Sequence, residues 1–289
     1  LGTAPGTLTI SGNLNLASGS VQNFSFGQAD VPGGPLNDLI NVGGNLTLGG
    51  TLNVDTSAGG SFDPGVYRVF NYAGTLTDTG WAVNIPASFY VQTSIDHQVN
   101  LVNTAGMALR FWDGDAGPKN DGNIDGGNGI WQAFGVTPDN GNDNWTEDGT
   151  ANAPFQDAAF AVFIGAAGAV TVDDSKGAVN VSGMQFITDG YVVAGDAINM
   201  VGTPDTVIRV GDGTTGGAGT TATIEAALNG NSQLVKSDMG TLVLTGANGY
   251  TGGTMLKGGV LQVSADANLG AALGGVSFDG GTLQTTADL

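Results

Sequence analysis

Apolar residues recur at every second position through most of this chain, with Thr, Asn and Ser between them. Residues 1–54 show it first: Leu8 and Ile10, Leu14 and Leu16, Phe24 and Phe26, Leu46 and Leu48, Leu52 and Val54. Successive side chains on a strand point to opposite faces, so a period of two marks strands with one face in a core. Leu39, Ile40 and Val42 add a further run. Gly-Gly, Gly-Asn and Ser-Gly pairs separate the runs and accept the positive φ of tight turns. Gly34-Pro35 and Asp63-Pro64 mark loops.

The pattern continues through 66–70, 75–76, 81–85, 89–91 and 99–102, then weakens over 105–150. There RFWDGDAGPKNDGNIDGGNGIWQAF and TPDNGNDNWTEDGTANAP are rich in Asp, Asn and Gly, punctuated by Trp112, Trp131 and Trp145. This composition predicts long turns, or a loop protruding from the strands and pinned by packed tryptophans. Strand-like runs return over 155–210. Residues 158–161 fit a strand or a short helix equally, and 221–228 a strand or a short helical turn after Ile224.

The stretch 234–261, LVKSDMGTLVLTGANGYTGGTMLKGGVL, is the most informative. Its runs 241–244 and 260–263 are offset by nineteen residues, Leu242 to Leu261, and 276–278 with 282–283 follow at a similar step. Strands at a fixed step of about 20 residues, joined by Gly/Asn turns, indicate a solenoid in which each repeat is one rung. One rung cannot bury its inner face alone, and stacking at about 4.8 Å gives each strand a partner above and below. The expected fold is therefore all-β: a right-handed parallel β-helix (β-solenoid) with loop excursions, the hand following the rule for parallel crossovers. For residues 1–104 taken alone, a sandwich or an up-and-down barrel stays open. The expected organisation is rungs over 1–104, an Asp/Asn/Gly-rich loop region over 105–150, and rungs over 151–289 that include the repeat 234–263.

That repeat closely resembles the passenger-associated transport repeat of bacterial autotransporters. The residues that carry the resemblance are Lys236, Gly240, Leu242, Leu244, Gly246, Asn248, Tyr250, Gly252, Thr254, Gly259 and Leu261. A looser similarity to long autotransporter passengers runs through 49–54, 62–67 and 72–76. The resemblance implies export across the inner membrane and passage through the protein's own C-terminal translocator barrel. It implies display at the bacterial cell surface or outer membrane, with the passenger retained or released. It casts Leu242, Leu244, Gly246, Asn248, Tyr250, Gly252, Thr254 and Leu261 as a folding and secretion repeat. The partners it suggests are a host-cell or matrix surface ligand, or self-association, with 113–150 as the contact site. A structural stalk for an N-terminal effector is the alternative, and a polysaccharide-active enzyme the third reading.

Composition narrows this further. Of 289 residues 51 are glycine, yet 40% are hydrophobic and only 11% charged, which excludes a disordered chain. Seven basic residues against 26 acidic leave a net charge of −19. That field repels nucleic acid and anionic lipid, and is compatible with divalent cations or basic partners. There is no cysteine, which suits a chain exported unfolded, and no apolar run long enough for a membrane-spanning helix. Leu1 stands where a start Met would, and the last residues lie inside a repeat, so a segment of a longer protein is expected.

The candidate chemistry is sparse. Asp121, Asn123 and Asp125 form a D-x-N-x-D-G run like the first half of a calcium loop, with Gln132 where the bidentate Glu would stand. The same residue types also serve simple Asp/Asn-Gly turns. Calcium is thus the one cofactor considered. No catalytic residue is assigned and no enzyme is expected. His97 is the single histidine, there is no G-x-S-x-G elbow, and the adjacent Asp173 and Asp174 would face opposite ways on a strand. Asn144-Trp145-Thr146 is read as ordinary loop despite its sequon form.

Overall fold

The computed structural model describes residues 4–63, 65–85, 89–93, 97–103, 105, 110–133 and 142–287. The chain is nearly all β, and it divides into two compact units that meet in sequence at residues 107 and 108. Among the described residues no helix is long and apolar enough to cross a membrane; the helical turns are two short 3-10 segments, Thr215–Gly219 and Asp266–Leu269.

In the first unit the chain visits three sheets in rotation. Thr7–Ile10, Leu39–Val42 and Gly65–Tyr72 pair in parallel, as do Leu14–Asn15, Leu46–Leu48 and Leu76–Asp78. Val21–Phe26, Thr51–Thr56 and Ala82–Asn84 form the third set. Most visits place their apolar residues inward; Leu8, expected on the core face, is exposed, as is Val21. Phe24, Phe26, Leu46, Leu48, Leu52, Tyr67, Phe70 and Trp81 build one core, in which Phe24 meets Phe70 edge-on at 5.6 Å. Outward asparagines repeat at the same register and bond along the stack: Asn84 donates to Asn53 at 2.8 Å, and Asn53 to Asn23 at 3.0 Å. The parallel stacking then stops. Gln98–Asn103 runs antiparallel to Gly65–Tyr72, and Phe89–Gln92 antiparallel to Gln98–Asn103. The expectation of parallel strands throughout is corrected here, because a period of two is the same in both arrangements and does not encode direction.

In the second unit two long sheets grow as the chain passes between them. One joins Gly129–Gln132, Ala169–Asp173, Tyr191–Gly195, Thr221–Ile224, Thr241–Leu244, Val260–Val263 and Thr282–Thr285, all parallel. The other carries Ala159–Phe163, Val179–Phe186, Asp205–Val210, Gln233–Ser237, Thr254–Leu256 and Val276–Phe278, also parallel. Of the two places where a helix was also considered, both carry strands, Ala159–Phe163 and Thr221–Ile224, and no helical turn follows Ile224. Each has a partner on both sides, and the ladder overrides weak local preference.

The described part of the Asp/Asn/Gly-rich region packs into the second unit; its residues 106–109 and 134–141 lie outside the described residues. The rest supplies the short strands Phe111–Trp112, Gly129–Gln132, Trp145–Thr146 and Asn152–Ala153 to the second unit. Trp112, Trp131 and Trp145 are fully buried with Phe155 and Phe163. Trp145 lies 4.8 Å from Trp131 and 4.5 Å from Phe155 between ring centroids, and Phe163 stacks on Phe186 at 4.6 Å. Rings of this size bury enough area to organise a polar segment around them.

Candidate functional site

The repeat at 234–263 is built from four strands, two in each long sheet of the second unit. Leu242 pairs with Leu261 and Leu244 with Val263, while Ala222 and Ile224 lie on the other side of the same pairs. Leu242, Leu244 and Leu261 have no exposed surface. Their alternation with Thr241, Val243 and Gln262 turns one face of each strand inward.

The turn between Thr241–Leu244 and Thr254–Leu256 is held by side chains that replace backbone pairing. Asn248 Oδ1 accepts from the Leu228 amide at 2.8 Å, and its Nδ2 donates to the Asn268 carbonyl at 2.6 Å. Asn268 answers from the next turn: its Nδ2 donates to the Gly246 carbonyl at 2.9 Å, and its Oδ1 accepts from the amides of Ser264 and Ala265 at 3.1 and 2.9 Å. Tyr250 is fully buried, and its hydroxyl shares a 2.7 Å bond with Thr254 Oγ1. Burial pushes the Tyr250 phenol up to about 12, against the opposing bond to Thr254. Gly252 lies so close to the preceding turn that a Cβ there would sit 2.3 Å from the Ser232 carbonyl carbon.

Lys236 is the least expected member. It is fully buried, and its Nζ donates to three carbonyls: Ser237 at 2.9 Å, Asp238 at 3.1 Å and Gly258 at 3.0 Å. One ammonium thereby ties two successive turns. Burial draws it down to about 8, and the Asp238 charge opposes that shift. Gly259 completes the pocket with φ 63°, and a Cβ there would meet Lys236 Nζ at 2.8 Å.

The structure thus brings Leu242, Leu244 and Leu261 together in one core, and Gly246, Asn248, Tyr250, Gly252 and Thr254 in one turn. Asn268 lies outside the repeat motif, although it stands a rung-length of twenty residues after Asn248. Lys236 belongs to the motif, and nothing in the sequence marks it as buried.

The calcium-loop resemblance has a different local basis. Asp121 Oδ1 accepts from the Asn123 amide at 2.8 Å, and Asp121 Oδ2 from the Asn123 side chain at 3.0 Å, closing a two-residue turn. These bonds hold the Asp121 carboxyl below its ordinary range. Asp125 enters through its backbone, which donates to Asp113 Oδ1 at 2.9 Å. Asp113 is fully buried and also accepts from Asn152 at 2.7 Å; burial pushes its carboxyl up. Among the described residues no group of three or more His, Cys, Asp or Glu is placed to hold a metal ion. Asp173, weighed as one of a pair of acids, accepts from Gln132 at 3.0 Å and from the Ser175 amide at 2.8 Å.

Across the repeat, parallel strands alternate between two sheets, and the corner is closed by this Asn-Tyr-Gly turn. Residues 234–263 match the family model for the passenger-associated-transport-repeat. The whole chain is 69% identical, over 316 aligned residues, to part of the Adhesin BmaC autotransporter of Brucella suis biovar 1 (strain 1330). The chain spans 9% of that relative's length. No solved structure matches it. The chain is therefore a passenger segment of a bacterial autotransporter, a class exported to the cell surface or outer membrane.

Proposed function

We propose that this chain serves adhesion to host cells or matrix, or aggregation between cells, as part of a surface-displayed passenger. The observation that carries the reading is its similarity, along its entire length, to a protein named as an adhesin. The two parallel sheets of the second unit, filled in turn as the chain advances, support a β-solenoid, and the bias of parallel crossovers makes it right-handed. The contact face assigned by this reading is the set of exposed turns around Asp121 and Asp148. Turns on a rigid scaffold carry binding without disturbing the core.

The repeat 234–263 has a second task in this reading. Leu242, Leu244, Leu261 and Val263 form an early-folding nucleus outside the cell, and each added rung templates the next. This would draw the chain outward through its own C-terminal barrel. A structural stalk is the second reading. It is favoured by the complete burial of Leu242, Leu244, Tyr250, Thr254 and Leu261, which leaves the repeat's core residues no partner-facing surface.

Binding of the purified chain to immobilised matrix and to cultured host cells separates the two. Saturable binding supports adhesion; a folded chain that binds neither, and does not aggregate cells displaying it, supports the stalk. The folding role is tested in the full-length protein by Leu242→Asn with Leu261→Asn. Unchanged surface display and unchanged protease resistance would sink it.

A further inference from the structure

A cleft in the first unit carries a separate set of groups. Thr9, Asn41, Asn71 and Gln98 occupy one level across four neighbouring strands: Thr9 opposite Asn41, Asn41 opposite Asn71, Asn71 opposite Gln98. Arg68 joins them on the same face, although it is three residues from Asn71 and strict alternation would send it inward. The register explains this. Phe70 pairs with Val99 but Arg68 with Asn100, so Val69 is an extra residue on its strand, and it is fully buried. Such a bulge re-aims the side chain beside it. With Tyr72 and His97 these residues line an open cleft of about 390 Å³.

Arg68 sets the polarity of the cleft. Its Nε donates to Asn100 Oδ1 and its Nη1 to Asn71 Oδ1, both at 2.5 Å. A guanidinium has only donors, so both amides must turn their oxygens towards it. Asn71 then donates through Nδ2 to Asn41 Oδ1 at 2.8 Å. Asn100 donates to the buried Gln92 Oε1 at 2.9 Å and, at 3.3 Å, to Gln98 Oε1. The two amides at the cleft, Asn41 and Gln98, thus accept through their oxygens and leave their nitrogens to donate. The outer Nη1–Nη2 edge of Arg68 is also left for a ligand. Among the described residues no carboxylate pairs with Arg68; the ion pair found there is Arg209 with Asp238. On a chain of net charge −19 this is a cleft built around a cation, with amide and hydroxyl groups beside it. His97, at φ 66°, sets its ring edge-on to Tyr72 at 5.6 Å and gives the cleft an aromatic flank.

We infer that this cleft binds the carboxylate-bearing end of an acidic saccharide. The carboxylate sits against the Nη1–Nη2 edge of Arg68, the geometry that guanidinium matches best. The amide nitrogens of Asn41 and Gln98, and the Thr9 hydroxyl, meet the ring hydroxyls, and the carbon face of the sugar lies along His97 and Tyr72. Donors spread over neighbouring strands suit the several acceptors of a sugar ring better than a lone peptide carboxylate. The net negative charge restricts the ligand to one acid group at an otherwise neutral end, since a polyanion would be repelled. The site stands whether the chain is an adhesin or a spacer, because a soluble ligand reads the cleft alone.

The test is a titration of the 289-residue chain with a glucuronate-terminated disaccharide, followed by NMR of side-chain amide and guanidinium resonances. The controls are its glucose-terminated counterpart and a short aspartate-rich peptide. The acidic disaccharide is expected to shift Arg68, Asn41 and Gln98, with the neutral counterpart roughly tenfold weaker or worse, as loss of a charge-assisted pair requires. Arg68→Gln and Asn41→Asp should each abolish the shifts. If Arg68→Gln lowers the unfolding midpoint, Asn41→Asp decides, since it replaces a half-exposed amide nitrogen with an oxygen. Equal binding of the neutral sugar, preference for the peptide, retained binding by a folded Asn41→Asp chain, or no shift with the acidic disaccharide would each overturn the proposal.

Discussion

Asn248 and Asn268 lie twenty residues apart and close each other's turns: Asn248 donates to the Asn268 carbonyl at 2.6 Å, and Asn268 donates to the Gly246 carbonyl at 2.9 Å. The bonds run in both directions between successive rungs, so neither turn is complete without the other. In a stack of parallel strands the ladder secures the flat faces, and these amides secure the corners.

Asn248→Ala leaves the buried Leu228 amide and the Asn268 carbonyl without their partners. A buried group left unsatisfied costs roughly 1–3 kcal/mol. The urea midpoint of the second unit should fall accordingly, whereas substitution of the exposed Thr251 on the same turn should leave it nearly unchanged.

Lys236 gives the repeat an alkaline response of unusual sign. Burial sets its folded value at about 8, below the ordinary 10.5. Between those values the unfolded chain holds a proton that the folded chain has released, so raising the pH favours the folded state. That contribution is present above 10.5 and lost as pH falls through about 8. Relative to Lys236→Met, the wild-type chain should gain in denaturant midpoint between pH 8 and pH 10. A difference that stays flat across that window would refute the assignment.

Tyr250 should respond in the opposite sense. Its folded value of about 12 lies above the ordinary 10, so its contribution is whole below 10 and drains away as pH rises through 12. Tyr250→Phe removes the bond to Thr254 and should cost about 1 kcal/mol at neutral pH. Towards pH 12 the mutant should lose less stability than the wild type, which paired melts at pH 7 and pH 11 would reveal.

Trp145 decides whether the Asp/Asn/Gly-rich region is core or ornament. It contacts Trp112, Trp131, Phe155 and Phe163 and is fully buried. Trp145→Ala should destabilise the second unit by about 3–5 kcal/mol. Trp145→Phe should cost less, partly because the indole N–H has no acceptor among the described residues and its removal leaves no bond behind. Thermal unfolding of both variants supplies the comparison.

The strands of the second unit were legible from a period of two, and from Ala222 to Leu283 a second signal agreed with it, steps of 20, 19 and 22 residues between register partners. Leu242 and Leu261, matched by spacing alone, are register partners. The region 110–153 was illegible for a concrete reason. Phe111–Trp112, Trp145–Thr146 and Asn152–Ala153 are two residues long, too short to alternate, and their positions are set by rings that meet only in three dimensions. The antiparallel turn-back at Gln98–Asn103 was hidden because direction leaves no trace in alternation. Arg68 was visible as one of seven basic residues, but the bulge at Val69 that aims it is a property of pairing, not of composition. Asn268 carries no distinct signal in the sequence, because asparagine in a turn already has a local explanation.

From Ala222 to Leu283 the spacing between register partners is close to constant without being fixed. Leu242 faces Leu261 and Leu261 faces Leu283, and the second step is three residues longer than the first. The excess lies between the strands, where it changes no partner in the core. Chain length at the corners is thus free to drift while the ladder holds its alignment. The relative from Brucella suis aligns over 316 residues against the 289 of this chain, so the two have diverged by insertion as well as substitution. A lineage built this way can remodel its outer surface by lengthening and trimming corners, a route of variation that spares every paired residue.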